Sequence, residues 1–219
     1  SIEDLVNKVK MMRMIAQKTG TCFQRCVGFD AMNATFITTY NMDKKYGTNY
    51  HERFKKWMTY VQENDLMIAG AMTDVKGNRS LKPSKQADPD LFTHVVEKRE
   101  DGVVICGAKA HMTGMANSHE MLILPTTNLL DGDQYYAIAC AVPVDAEGIT
   151  HIFGRQTNDQ RRLQGDLDTG NSEYAIVGGE TLTVLDHVFV PWDRVFMCGE
   201  TDFAQDYVAR FAAYHRQNY

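Results

Sequence analysis

The stretch LFTHVVEKREDGVVICGAKAHM, residues 91–112, decides the fold class. Two β-branched runs flank Asp101-Gly102, the kind of pair that closes a tight hairpin because a two-residue turn needs positive φ at its centre. Further runs follow with the same texture: EMLILPT (120–126), YYAIACAVPV (135–144), GITHIF (148–153), YAIVGG (174–179) and TLTVLDHVFV (181–190). Gly and Asp clusters separate them, and Pro191 closes the last. No long helical pattern interrupts these strands, so an antiparallel barrel or sandwich is expected rather than a parallel sheet with crossover helices.

Upstream of this β region the pattern changes to a period of 3.6 residues. Ser1 with Asp4 resembles a helix start, Ile2, Leu5, Val6 and Val9 repeat at helical spacing, and Gly20 ends the helix. A second helix is expected from about Thr21 to Met42, broken by KKYGTN. A third, YHERFKKWMTYVQEN, puts Phe54, Trp57, Met58 and Val61 on one face. Downstream, Asp202 with Gln205 makes a cap-like start, and Ala204, Val208, Phe211, Ala212, His215 and Tyr219 form one stripe. The expected class is α+β: helices over 1–64, a β domain over 65–200, and over 201–219 the first helix of a further helical domain. A first residue already inside a helix and a last one still inside another read as part of a longer protein.

A net charge of −5 over 219 residues argues against a nucleic-acid surface or a polybasic membrane patch. The longest apolar run, DQYYAIACAVPV, is too short and too polar to span a bilayer. Five cysteines without framework spacing, alongside twelve methionines, suit a reducing cytoplasm better than a disulfide-stapled secreted domain.

Several constellations could carry chemistry. Cys22 and Cys26, in GTCFQRCVGFDAMN (20–33), sit one helical turn apart and share a face. They are small core residues or two corners of a soft metal or iron–sulfur site, whereas the spacing is wrong for a thioredoxin-like redox pair. His215 and Tyr219 repeat that spacing on an apolar stripe, where a histidine is either a satisfied core residue or a ligand. The loop GAMTDVKGNRSLKPS (70–84) offers backbone amides, Asn78, Arg79 and Ser80 to a pyrophosphate, or is simply solvated. Lys109, His111 and Thr113 alternate along a strand and are expected on one face. Glu180 follows two glycines at a strand start, as an exposed turn residue or as a base brought close to a ligand.

VVEKREDGVVICGAKAHMTG followed by TLTVLDHVFVPWDRVF resembles the middle β domain of the acyl-CoA dehydrogenase superfamily, in its branch of 4-hydroxyphenylacetate 3-monooxygenase-like proteins. CFQRCVG, KYGTNYH, YVQENDL, GAMTDVKGNR and RFAAYHRQNY resemble, within that branch, the family of 4-hydroxybutyryl-CoA dehydratases that also isomerise vinylacetyl-CoA. The resemblance implies FAD and a 4Fe-4S cluster. Cys22, Cys26 and His215 match cluster ligands, with a third cysteine expected beyond the last residue of this sequence. Met72, Thr73, Asp74, Asn78, Arg79, Ser80, His111, Met112, Thr113 and Gly114 match flavin-contacting positions. Glu180, Tyr219 and His215 match catalytic ones. An acyl-CoA substrate, a homotetramer and the remainder of a C-terminal helical domain as partner are implied in the same way.

The reaction so implied, 4-hydroxybutyryl-CoA to crotonyl-CoA, must remove a C3 proton that no neighbouring group acidifies. Side-chain pKa tuning of a few units cannot reach it. Transient one-electron oxidation after loss of the C2 proton answers that difficulty, and hydroxide then departs from C4. Two rival readings are an FADH2-dependent aromatic monooxygenase and a non-catalytic β domain. In the first, Cys22, Cys26 and His215 would share no purpose; in the second, the cysteines are core residues or zinc ligands.

Overall fold

A computed structural model describes residues 1–19, 26–153 and 180–215. Its elements are α1 (Ile2–Thr19), α2 (Cys26–Tyr46), α3 (Tyr50–Glu63), β1 (Ile68–Ala71), β2 (His94–Lys98), β3 (Gly102–Thr113), β4 (Glu120–Ile123), β5 (Ile138–Pro143), β6 (Ile149–Phe153), β7 (Glu180–Pro191), β8 (Val195–Cys198) and α4 (Ala204–His215). The expected YAIVGG strand lies outside the described residues.

The strands form two four-stranded sheets, ordered β1-β4-β5-β8 and β2-β3-β7-β6. β2 and β3 do form the expected antiparallel hairpin, with Lys98 opposite Val103. Gly102, however, is already the first residue of β3, and its carbonyl accepts from the Arg99 amide at 2.8 Å. Neither it nor Asp101 takes a positive φ, so the pair is not the centre of the turn. One pair departs from the expected antiparallel plan. β1 runs parallel to β4, Ile68 opposite Glu120, because the long segment between them returns the chain in the same direction. Among the described residues the sheets remain two layers and do not close into a barrel. They share one apolar core, in which Ile105, Val188 and Val190 of one sheet belong to the same buried cluster as Leu122, Ile138 and Phe196 of the other. Burying each such side chain contributes about 1.5–3 kcal/mol.

The helices pack on the first sheet. Phe54, Trp57 and Val61 of α3 are buried as the spacing predicts, and Phe54 meets Phe196 edge-on at 5.2 Å. Trp57 Nε1 donates to Glu120 Oε2 at 2.7 Å, and the same oxygen accepts from Arg194 at 2.7 Å, so this buried carboxylate is paired with a cation. At the start of α1, the Ser1 hydroxyl accepts from the Asp4 amide at 3.3 Å, the capping contact that the sequence suggests. The apolar stripe of α1 nevertheless faces outward, with Ile2, Leu5 and Val6 exposed and Met12 buried. The expected cap at Asp202 does not form: its carboxylate accepts from Lys45 and Tyr46 of α2 instead. A single 3-10 turn over Thr201–Phe203 leads into α4. The packed face of α4 is centred on Ala204 and Tyr207, and Ala212 is exposed.

Candidate functional site

β3 meets the start of β7 where Thr113 lies directly opposite Glu180. Opposed residues in an antiparallel pair present side chains on the same face. The Thr113 hydroxyl donates to Glu180 Oε1 at 3.2 Å, and His111 Nδ1 stands 3.6 Å from Oε2. The expected row of Lys109, His111 and Thr113 on one face is not found. Lys109 pairs with Thr183 and Met112 with Thr181, so β3 carries one extra residue across this interval. His111 takes a left-handed φ of 56° within that bulge. The bulge sends Lys109 inward and His111 out to solvent, beside Glu180. Met112 is buried, and Gly114, at φ 73°, turns the chain out of the strand.

The segment after β1 lies along β3, with the Ala110 amide donating to the Thr73 carbonyl at 2.8 Å. Asp74 accepts from Lys109 Nζ at 2.8 Å and from the Thr93 amide at 3.0 Å. Lys109 also donates to the carbonyls of Met72 and Leu124, at 3.0 and 2.9 Å. Burial pushes the Asp74 carboxyl up and the Lys109 ammonium down. The Asp74 side chain therefore braces the strand interior, while the backbone of Met72 and Thr73 is held against β3.

Beyond it the loop enters a pocket of about 310 Å³ lined by Lys76, Arg79, Ser80, Lys82, Thr126 and Thr127 among others, with no acidic residue in the lining. Asn78 Oδ1 accepts from the Ser80 amide at 3.0 Å and its hydroxyl at 2.8 Å, and Gln86 clamps the Asn78 backbone. Asn78 thus shapes the loop, whereas Arg79 and Ser80 line the pocket. Three cations with hydroxyl donors and no counter-charge suit a phosphate group.

At the other end of the chain α4 packs on α2. His215 Nδ1 lies 2.8 Å from Oδ2 of Asp30, a carboxylate with no exposure. Asp30 is one turn beyond Cys26, itself buried, so Cys26 and Asp30 share the face of α2 that His215 reaches. A buried carboxylate on one ring nitrogen fixes the tautomer and leaves the lone pair on Nε2, the arrangement that orients metal-ligating histidines. Cys22 and Tyr219 lie outside the described residues. Asp30 was not evident as a participant from sequence, although its spacing from Cys26 carries the signal. The described donors, a thiol and a carboxylate-backed imidazole, fit a soft iron site, and the cationic pocket with the Thr113 strand end fits a phosphate-bearing flavin.

Residues 1–197 match the family model described as 4-hydroxyphenylacetate 3-hydroxylase N terminal. The chain belongs to that family. Within the 4-hydroxyphenylacetate 3-hydroxylase N-terminal family, it is 56% identical over its whole length to the 4-hydroxybutyryl-CoA dehydratase/vinylacetyl-CoA-Δ-isomerase of Clostridium aminobutyricum, of which it covers 45%. An oxygen-tolerant archaeal 4-hydroxybutyryl-CoA dehydratase from N. maritimus superposes with a TM-score of 0.88 at 52% identity, over 99% of this chain and 43% of that one. The oxygenase component of 4-hydroxyphenylacetate 3-monooxygenase complexed with FAD gives a TM-score of 0.71 at 27% identity, over 94% and 42%. The chain thus spans less than half the length of these relatives. No described helix is long and apolar enough to cross a membrane.

Proposed function

We propose that the protein to which this chain belongs dehydrates 4-hydroxybutyryl-CoA to crotonyl-CoA and isomerises vinylacetyl-CoA, with FAD and a 4Fe-4S cluster. The observation that carries this reading is the 56% identity with the clostridial dehydratase, in an alignment that covers the whole chain, helical segments included. The pairing of His215 with buried Asp30 beside Cys26 supports it, because oxygen chemistry on a flavin gives that trio no role. When bound, the flavin supplies reversible one-electron oxidation and the cluster supplies a Lewis-acidic iron for the C4 hydroxyl.

The residues of this chain have the following work. Cys22, Cys26 and His215 hold the cluster, and Asp30 keeps the His215 proton on Nδ1. Arg79 and Ser80, with Lys76 and Lys82, hold the cofactor phosphates. The backbone of Met72, Thr73, Met112 and Gly114 carries the flavin edge, and Thr113 orients Glu180. Glu180 moves a substrate proton at its carboxylate, and Tyr219 hydrogen-bonds the substrate oxygen. His215, whose Nδ1 is taken up by Asp30, has only Nε2 for both its ligand role and a second proton transfer, so the two roles alternate at that atom. Residues 201–215 open the helical domain that completes the site, in a cytoplasmic homotetramer.

Metal and flavin analysis of the full-length protein, purified without oxygen, tests the reading. About four irons with matching sulfide per flavin are expected. Yellow protein without iron would identify a monooxygenase, and colourless protein a non-catalytic domain. Glu180→Gln should slow both dehydration and isomerisation about 10²–10⁴-fold with iron and flavin retained, and wild-type rates would remove Glu180 from the mechanism.

A further inference from the structure

A second cluster of ligand-type side chains lies on the outer sheet, away from Cys26 and His215. β3 pairs Ile105 with Val188 and Gly107 with Leu185, so the single residue Cys106 faces two residues, Asp186 and His187. In this bulge His187 adopts φ 54°, a left-handed conformation that costs a non-glycine residue energy. The geometry is braced from below. The Asp186 amide donates to the Gly148 carbonyl at 2.8 Å. Gly148 has φ 87°, and a Cβ there would stand 2.2 Å from the Asp186 carbonyl, so only glycine fits under the bulge.

The strained turn has a chemical result. Cys106 Sγ, a carboxylate oxygen of Asp186 and a ring nitrogen of His187 all lie within 4.8 Å of one another. The His187 amide donates to Cys106 Sγ at 3.3 Å, a contact that favours thiolate, and His187 Nδ1 is 2.6 Å from Asp186 Oδ1. Cys106 is buried while Asp186 and His187 are exposed, so the sulfur sits at the floor and the solvent side stays open. The surroundings are anionic: Asp90 also acts on the thiol, and burial together with the Asp90 and Asp186 charges pushes it up against the opposing His187 amide.

We propose that Cys106, Asp186 and His187 form a site for a zinc-type divalent cation that pins the β3–β7 bulge. Sulfur, imidazole and carboxylate are the ligand types that borderline divalent ions accept in tetrahedral sites, with water in the fourth, solvent-facing position. Binding converts the thiol to thiolate and releases its proton to solvent. The cation then takes the place of the Asp186–His187 hydrogen bond and neutralises the local negative charge.

The test uses the intact protein with Zn²⁺ as probe, and reads zinc stoichiometry against a competing chelator together with X-ray absorption at the zinc edge, which iron does not obscure. About one zinc per chain is expected, with a single sulfur in its ligand shell. Asp186→Asn and His187→Gln should each weaken it by about ten-fold or more at unchanged iron and flavin content. Cys106→Ser should remove the sulfur from the shell. Asp186 is exposed, so Asp186→Asn decides the matter even where Cys106→Ser folds poorly. Failure to bind zinc, or equal affinity in wild type and Asp186→Asn, overturns the proposal, since zinc would then be absent or held by other cysteines.

Discussion

Lys109 is a lysine with no exposure whose three ammonium protons each have an acceptor: Asp74, the Met72 carbonyl and the Leu124 carbonyl. It ties the interior of β3 to the ends of the neighbouring strands β1 and β4. Removing one partner leaves a buried charge unpaired. Lys109→Met should therefore cost about 3–5 kcal/mol, seen as a fall in the thermal unfolding midpoint and in retained flavin. Adding Asp74→Asn should restore part of that loss, because the two residues are one coupled unit. Additive losses would show that the pair does not act together. At this scale the sequence was half legible. Lys109, His111 and Thr113 are visible as polar residues in an apolar strand, but alternation assumes an unbroken ladder. One bulge residue at His111 is enough to invert the faces.

The element that positions the candidate cluster ligands is α2, and its seat is set by two glycines. A Cβ at Gly28 would stand 2.1 Å from the Ile68 carbonyl, and one at Gly70 would stand 2.6 Å from the Val27 carbonyl. Helix and strand therefore meet backbone to backbone, two residues from Cys26 and two from Asp30. Gly28→Ala cannot be absorbed by a side-chain rotation, because the obstacle is main chain. It should cost about 1–3 kcal/mol and lower iron content more than flavin content, as α2 lifts away from β1. Unchanged melting and unchanged iron would show that the contact yields freely. The glycines are plain in the sequence, but the element that each one meets is not.

Across the whole molecule, buried acids that are neutral in the fold set the alkaline limit. Burial pushes the Cys140 thiol up to about 12, and Cys198, Tyr50 and Tyr207 upward with it. In the unfolded chain thiols ionise near pH 8.5 and phenols near 10. Above those values the unfolded state has shed protons that the folded state keeps, so stability is intact below about pH 8.5 and falls as pH rises toward 12. Each group contributes up to about 1.4 kcal/mol per pH unit within its window. Unfolding midpoints measured from pH 7 to 11 should fall steepest above 9, with a shallower fall in Cys140→Ala. Identical slopes would mean that Cys140 is accessible in the folded protein.

The amino-acid order by itself determined the helices, the β2–β3 hairpin and most of the strands, since these follow from periodicity within a few residues, though the hairpin turn is not centred on Asp101-Gly102. It also singled out Cys26, Glu180 and His215 as candidates, while leaving an ordinary structural reading open for each. Tertiary structure alone decided that β1 lies parallel to β4, that the strands form two layers, that Glu180 is met by Thr113 and His111, and that Asp30 backs His215 across 185 positions of chain. It also gathered Cys106, Asp186 and His187 at one bulge. The physical reason is common to all of these. Local propensity acts over single turns and strands, whereas register, bulges and helix docking are settled by packing between residues far apart in the chain, where one extra residue reverses which side chains meet.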